Sequence, residues 1–273
     1  MRTLWCILFA LVPILAVGLF VASPLLGWWL PEELSTIAPD IDRMFYVILA
    51  ITAALFVITQ GVLVYALFVY SRPDSKPVYF HENARLELIW TIIPAAILVF
   101  LAFYQVPTWG EAKFVTQITS DTQIRPIAEV VGTQFDWRVR YVGSDGQPGE
   151  AGKDDDGNGV VDDWSELLFP GTDDVEVVAE LRIPANEKVL IRLTSNDVLH
   201  SFFVPFFRIK QDAVPGMAIP VWFQATREGS YELVCAELCG WGHYRMRGRL
   251  IVQGRDEFEA WLEQMNAEEE AAR

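Results

Sequence analysis

The residues best suited to chemistry lie together in one segment, Cys235-Ala-Glu-Leu-Cys239-Gly-Trp-Gly-His243-Tyr-Arg-Met246. Two thiols, an imidazole and a thioether are soft ligands, which suit copper better than magnesium or calcium. The two glycines of this ligand loop, residues 235–246, allow the backbone to fold around an ion. The chain has three Cys and three His in all, and His200 stands at the end of an earlier predicted strand. We therefore predict a metal site formed by the ligand loop and His200.

The number of thiols favours two copper ions over one. A mononuclear blue copper site uses one Cys, two His and a weak axial ligand, whereas this loop offers both Cys235 and Cys239. If both thiolates bridge two ions, each ion receives one imidazole, from His200 or His243, and Met246 and one backbone carbonyl become weak axial ligands. Such a centre changes little in geometry on reduction and has no open position for a substrate. It is predicted to transfer electrons and to make or break no bonds.

Two other uses of a Cys-x-x-x-Cys spacing are a redox dithiol and a structural zinc site. Zinc sites are usually closed by Cys and His at other spacings. A zinc site would also leave Met246 without a role, so copper is the better interpretation of the loop.

Composition requires that this loop be carried by a chain with a membrane part and a soluble part. The sequence is 52% apolar, with a mean hydropathy of +0.25, yet 21% of its residues are charged. Its net charge is −15. An acidic surface disfavours nucleic acid and favours a basic partner, although acidity also serves solubility alone.

Three uncharged runs are candidates for the membrane part, since about 20 apolar residues cross a bilayer. Residues 44–106 contain the second and third runs, Met44–Tyr70 and Leu88–Val106, and are predicted to form a two-helix transmembrane hairpin. The first run lies within residues 1–31 and is either a retained helix or a signal peptide. Pro24 directly follows Ala22-Ser23 and disfavours cleavage there, so a retained helix is favoured.

Charges in the connections predict the orientation of these spans. Arg72, Lys76 and Arg85 lie in the connection 71–87, whereas the connection 32–43 is acidic. Basic loops stay in the cytoplasm, so the chain beyond the third run is predicted to lie outside. We expect an integral protein of the cell (inner) membrane with a periplasmic domain and, if the first run is retained, a cytoplasmic N-terminus.

The extracytoplasmic domain, residues 107–254, has the pattern of an all-β fold. Short strands are predicted at Phe135–Tyr141, Val175–Ile183, Val189–Thr194, Val198–Phe207, Ile219–Phe223, Tyr231–Cys235 and Gly248–Val252. Turn signals between them favour a Greek-key β-sandwich or barrel. Residues 255–273 place apolar side chains at helical spacing and are predicted to form a closing helix. The fold class is therefore mixed, with membrane α-helices followed by an all-β domain.

At these residues the chain resembles subunit II of the haem–copper cytochrome c oxidases, over about 44–261. The most specific matches are His200-Ser-Phe, Lys210-Gln-Asp-Ala-Val-Pro-Gly216 and the ligand loop. The resemblance implies a cupredoxin-like domain holding the dinuclear CuA centre. It assigns bridging thiolates to Cys235 and Cys239, terminal ligands to His200 and His243, an axial ligand to Met246, and an axial backbone carbonyl to Glu237. The Glu237 side chain is similar to the glutamate that helps bind magnesium at the contact with subunit I.

The resemblance also implies a function and partners. Electrons would pass from cytochrome c to the copper pair and on to haem in subunit I, within a proton-translocating oxidase that reduces oxygen to water and that also contains subunit III. Glu87 resembles the family's glutamate at the mouth of a proton channel, although an acid at a membrane boundary also suits the headgroup layer.

The point at which electrons enter is less defined, because Phe135 stands where many members of the family carry a tryptophan. Trp137 and Trp241 are the other candidates. Aromatic residues are more often core residues than parts of an electron path. Asp197, close to His200, is a candidate acid for docking the donor.

An acidic insertion, residues 143–174, departs from the family pattern. Asp154, Asp156, Asn158 and Asp162 follow the spacing of oxygen ligands in a calcium loop. The twelfth position is Ser165, where a full EF-hand has Glu. Calcium binding and a flexible acidic loop are both compatible with this pattern.

Three other functions are weaker. A copper-delivery protein would show a thioredoxin-like βαβ pattern and would need neither His243 nor Met246. A quinol-oxidase relative of the same fold lacks the copper ligands. Nitrous oxide reductase shares the loop but needs many more His and no such membrane spans.

Overall fold

The computed structural model describes residues 2–70, 79, 81–113, 126–142, 152–154, 159, 171 and 174–272. Within this part of the chain, three apolar helices precede the strands: α1 (Arg2–Ala22), α2 (Ala38–Tyr70) and α3 (Ala84–Lys113). By length and composition, each could cross a membrane. The predicted N-terminal transmembrane helices are confirmed.

The helices differ from the uncharged runs at their ends. Both α2 and α3 extend beyond the runs, since polar residues can occupy the first and last turns of a long helix. The Asn83 side chain accepts a hydrogen bond from Leu86 N at 3.2 Å and caps the start of α3. The first run is helical only to Ala22, because Pro24 cannot continue the backbone ladder and Gly27 has φ +72°.

The chain divides into two compact units. Residues 1–31 and 42–107 form a membrane unit, and residues 32–41 and 108–273 form a β unit. In the membrane unit, Trp29 packs against Phe20 and Phe45, and its indole N–H donates to Tyr46 Oη at 2.9 Å. Most other large apolar side chains of the helices are exposed, as expected for surfaces that face lipid.

Among the described residues, the β unit forms two five-stranded sheets. The strands are β1 (Pro126–Thr133), β2 (Asp136–Tyr141), β3 (Val175–Val178), β4 (Glu180–Pro184), β5 (Lys188–Ser195), β6 (His200–Val204), β7 (Ile209–Ala213), β8 (Ile219–Gln224), β9 (Gly229–Cys235) and β10 (Arg247–Gln253). The strand orders are β3-β2-β1-β5-β8 and β4-β10-β9-β6-β7. The predicted β-sandwich is confirmed.

The sheets differ from the predicted strands in two ways. The run Val175–Ile183 is not one strand, because the backbone turns at Ala179 (φ +60°) and sends β3 and β4 into different sheets. β1 and β7 were not among the predicted strands. β1 nevertheless lies at the centre of its sheet, antiparallel to β2 and parallel to β5.

Large side chains fill the space between the sheets. Trp137, Tyr141, Phe202, Phe207 and Phe223 are fully buried there. After β10, helix α4 (Arg255–Ala272) closes the unit, with the Trp261 ring 5.1 Å from that of Tyr141. Because this core surrounds the start of β6 and the end of β9, the two strand ends that carry His200 and Cys235 are held rigidly.

The segment 32–41, which ends within the first turn of α2, is also part of the β unit. Leu34 is 3% exposed and belongs to the core, and its backbone N–H donates to Phe206 O at 3.0 Å while its carbonyl accepts from Thr226 N at 3.0 Å. Glu32 makes two 2.7 Å ion-pair contacts with Arg227. A segment between two predicted membrane spans therefore contributes backbone hydrogen bonds and a buried side chain to the β unit.

Candidate metal centre

Two adjacent strands and one loop form the site. β6 and β9 are antiparallel neighbours, with Phe202 opposite Cys235, so His200 and Cys235 lie at the same end of the sheet. The ligand loop leaves β9 at Cys235 and returns to β10 after Met246. Its base is closed by a 3.1 Å hydrogen bond from Cys235 N to Met246 O. The strand pairing thereby fixes one side of the site, and the closed loop fixes the other.

The predicted ligand atoms converge. The separations are 3.9 Å from Cys235 Sγ to Cys239 Sγ, 3.9 Å from Cys235 Sγ to His200 Nδ1, 3.7 Å from Cys239 Sγ to His243 Nδ1, 3.2 Å from Met246 Sδ to His200 Nδ1 and 3.7 Å from Met246 Sδ to Cys239 Sγ. The cysteines, His200 and Met246 are buried, whereas His243 is half-buried.

These separations fit shared metal ions. Metal–sulfur bonds of about 2.3 Å and metal–nitrogen bonds of about 2.0 Å place two ligands of one ion about 3.5–4.0 Å apart at tetrahedral or trigonal angles. Each imidazole stands at such a distance from a thiol, and so do the two thiols from each other. His200 lies next to Cys235 and His243 next to Cys239, so each thiol has one imidazole near enough to share an ion with it.

Met246 distinguishes soft from hard metals at this site. Its thioether is 1% exposed and points at the other ligands instead of packing away from them. The carbonyl oxygen of Glu237 lies 3.2 Å from Cys235 Sγ and offers a second weak donor. A buried thioether among two thiols and two imidazoles suits copper and adds nothing to a zinc site.

Asp197 orients one of the imidazoles. Its carboxylate is 2.7 Å from His200 Nε2, which leaves Nδ1 to face the sulfur atoms. Burial opposes ionisation of Asp197, but hydrogen bonds from His200, Val198 and Gln134 outweigh it and lower the pKa of this carboxyl. A carboxylate behind a metal-binding histidine fixes its tautomer and ring orientation. Although the sequence suggests Asp197 as an exposed docking acid, it contacts a predicted ligand directly.

The thiol of Cys239 is protonated in the absence of metal. Burial, together with the neighbouring Cys235, raises the pKa of Cys239 to about 11. Metal binding at this site must therefore release protons.

The end of β1 and the turn that follows it contact the predicted ligands and their supporting groups. Gly132 lies against the imidazole of His200, and a Cβ at this position would stand 2.9 Å from His200 Cδ2. Gln134 donates from its backbone N–H to Asp197 at 2.7 Å and from its side chain to Cys239 O at 2.6 Å. Sequence inspection missed Gly132 and Gln134, because no local pattern marks them. The hydrogen-bond partners of Gln134 lie 63 and 105 positions away in the sequence.

The three aromatic candidates for electron uptake have different environments. Trp137 is fully buried, with its ring 6.1 Å from that of His200. Phe135 is half-buried, and its ring meets that of Trp241 edge to face at 5.1 Å. Trp241 is 73% exposed.

Glu87 and the calcium candidates are the remaining predicted residues. Glu87 is exposed in the first turn of α3, where a negative charge also suits the helix dipole. Of the calcium candidates, Asp156, Asn158 and Asp162 lie outside the described residues. Asp154 accepts a 2.8 Å hydrogen bond from Gly159 N.

Comparison with known proteins identifies the family. The sequence model described as "Cytochrome C oxidase subunit II, periplasmic domain" matches residues 158–253, and the one described as "Cytochrome C oxidase subunit II, transmembrane domain" matches residues 24–107. Cytochrome c oxidase subunit 2 of Thermostichus vulcanus is 35% identical over 268 residues, which cover 87% of this chain and 79% of that protein. The chain belongs to the cytochrome c oxidase subunit II family.

A second relative, the alternative cytochrome c oxidase subunit 2 of Bradyrhizobium diazoefficiens, is 31% identical over 87% of this chain and 83% of its own length. Membership explains the order of parts in this subunit II chain, with α2 and α3 as its transmembrane domain and the β unit as its extracytoplasmic domain. Helix α1 precedes the region that the transmembrane family model matches.

Proposed function

We propose that this subunit II chain accepts electrons from cytochrome c at a dinuclear copper (CuA) centre and passes them to haem in subunit I of a proton-translocating terminal oxidase, where oxygen is reduced to water. The observation that carries the proposal is the pair of buried thiols 3.9 Å apart, each with an imidazole 3.7–3.9 Å away. When bound, the two copper ions supply a centre that takes up and releases one electron at a time.

The side chains divide the work of holding that centre. We assign both thiolates as bridges, with His200 and His243 as the terminal ligands. Met246 supplies the weak ligand next to His200, from which its sulfur is 3.2 Å away, and the Glu237 carbonyl supplies the other. Buried ligands fixed by strands, by Asp197 and by the turn cannot rearrange far, which favours fast electron transfer at little driving force.

The partner subunits follow from what this chain lacks. Its three His include two predicted copper ligands, so the haems and the oxygen-reducing centre must belong to subunit I. We place the Glu237 side chain at the contact with subunit I, where it contributes to a shared magnesium ion, and we expect subunit III in the same assembly. Glu87 is assigned to the mouth of a proton channel on the cytoplasmic side.

The proposed location is the cell (inner) membrane, with the β unit on the periplasmic side, α1 retained and the N-terminus in the cytoplasm. On that side the β unit binds cytochrome c, and we propose no nucleic-acid partner. For the acidic insertion we propose a calcium-pinned loop with Asp154, Asp156, Asn158 and Asp162 as ligands. Calcium-dependent resistance of residues 143–174 to protease supports this assignment, and equal cleavage with calcium and with chelator contradicts it.

Copper counting combined with EPR on the full chain tests the proposed function. We expect two coppers per chain and a seven-line hyperfine pattern, because one unpaired electron couples equally to two copper nuclei. Cys239→Ser should abolish this pattern, whereas Cys6→Ser, which changes a cysteine of α1, should leave it unchanged. One copper with a four-line signal, or a preference for colourless zinc, would overturn the proposal.

A further inference from the structure

The surface above the metal centre determines how closely an electron donor can approach. The Cys and Met ligands are buried, and the rate of electron transfer falls steeply with distance. A donor protein must therefore dock on the exposed groups nearest to the ligands.

Trp241 is such a group. It lies two positions from Cys239 and two from His243 along the ligand loop, so it is the middle residue of the short segment that joins two predicted ligands. Its indole is 73% exposed. A partner that covers this ring lies next to the centre without any movement of the loop.

The ring is exposed but fixed in place. Phe135 contacts it edge to face at 5.1 Å, and the guanidinium of Arg245 lies 4.7 Å from its centroid. The loop can approach Phe135 this closely only because glycines flank Trp241. A Cβ at Gly242 would stand 2.5 Å from the Phe135 ring, and one at Gly240 would stand 3.1 Å from it.

The other aromatic candidates have different roles in the fold. Trp137 is fully buried and packs edge to face on Phe202 with ring centroids 5.9 Å apart, so no partner can touch it. Phe135 is half-buried beneath Trp241. A large planar ring that is exposed, fixed before binding and adjacent to an electron-transfer centre has the properties of a binding hot spot.

We infer that Trp241 is the residue on which the electron donor docks, and that Phe135 and Arg245 are positioning residues that hold its ring. The inference rests on the proposed function. The donor that fits is a small protein whose haem edge is exposed and apolar, so that it can lie flat against an indole. In the step itself one electron leaves the reduced haem iron and enters the copper centre, and no proton moves and no bond is made or broken.

The test compares Trp241→Leu with two controls in the assembled oxidase. Trp241→Phe keeps an aromatic ring, and Tyr244→Leu removes a second exposed ring (72% exposed) from the same loop. Binding is measured with zinc-substituted cytochrome c, which docks but cannot donate from iron. Electron transfer is measured as the second-order rate constant for oxidation of reduced cytochrome c, and the copper centre is monitored by EPR.

We expect Trp241→Leu to weaken binding of the zinc protein and to lower the rate constant by about tenfold or more, as for loss of a tryptophan hot spot. The copper EPR signal should be unchanged. Trp241→Phe should stay within about threefold of wild type, because it keeps an aromatic ring at the contact. Tyr244→Leu should stay within about twofold, because it leaves the Trp241 indole in place. If the leucine variant does not fold, Trp241→Gln serves the same comparison.

Wild-type binding and rate in Trp241→Leu, or an equal loss in Tyr244→Leu, would overturn the inference. Absence of a copper signal from the wild-type chain would instead refute the proposed function. The zinc-protein measurement requires no electron transfer, so the two failures are distinguishable.

Discussion

Replacing Gly132 by alanine tests whether the sheet backbone sets the position of a metal ligand. Gly132 lies in β1, its φ is not in the left-handed region, and alanine is compatible with its backbone conformation. The added Cβ would stand 2.9, 3.0 and 3.1 Å from Cδ2, Cγ and Cβ of His200. Only this contact distinguishes the variant from wild type.

The size of the effect follows from how far the ring must move. Bringing the closest contact from 2.9 Å to an ordinary 3.4 Å requires a shift of about 0.5 Å. The ring is fully buried, and its Nε2 is held 2.7 Å from Asp197. Ligand positions at a metal site are tolerant to about 0.2 Å, so the shift removes His200 from its bonding position. Overpacking typically costs about 1–3 kcal/mol, which corresponds to about a 5- to 150-fold loss of copper affinity.

Competition with a copper chelator on the detergent-solubilised chain measures this loss, and EPR shows whether the two coppers stay equivalent. Gly254→Ala is the matched control, because its Cβ would meet Glu228 Oε1 at an ordinary 3.6 Å in the same unit. We expect the control to bind copper as wild type does. If Gly132→Ala retains wild-type affinity and an unchanged EPR spectrum, β1 does not constrain His200 and the reasoning fails.

Three further predictions concern the segment 32–41, the weak ligand Met246 and the thiol of Cys239. Leu34→Ala should lower the free energy of unfolding of the β unit by about 2–4 kcal/mol, because it removes a buried side chain. Thermal unfolding should show a lower Tm for this variant and an unchanged Tm for the control Glu32→Gln, whose ion pair is exposed. Equal Tm values in the two variants would contradict the prediction. Met246→Leu should keep both coppers and shift the reduction potential measured by redox titration, whereas loss of one copper would show that the thioether is an essential ligand. Burial raises the pKa of Cys239 to about 11, so this thiol is protonated at neutral pH and copper must displace its proton. Apparent copper affinity should therefore rise by about tenfold per pH unit for each proton released between about pH 6 and 9. A flat profile would show that the Cys239 thiol is already ionised.

The membrane-facing residues and the ligand types could be identified from the sequence, because both are local properties. A run such as Met44–Tyr70 can satisfy its backbone polar groups within lipid only as a helix. Cys235, Cys239, His243 and Met246 fall in one short loop, so any fold of that loop keeps them close. These features depend on neighbours along the chain, and sequence therefore determines them.

The residues that make the site rigid could not be identified in this way. Gly132 and Gln134 contact His200, Asp197 and Cys239 only because the end of β1 and the turn after it, which belong to one sheet, pack against the strand and loops of the other. The exposure that separates Trp241 from Trp137 depends on which side of a strand or loop faces the core.

The bounds of the β unit could not be predicted from the sequence either. Leu34 stands between two membrane spans in the sequence, yet it fills the core of the β unit. The turn at Ala179 divides one apparent strand between two sheets. Contacts between residues far apart in sequence arise from packing, and packing is decided by the competition of all such contacts in the folded chain. The types and the loop of the predicted ligands are therefore a property of the sequence, while the geometry that brings them together is a property of the tertiary structure.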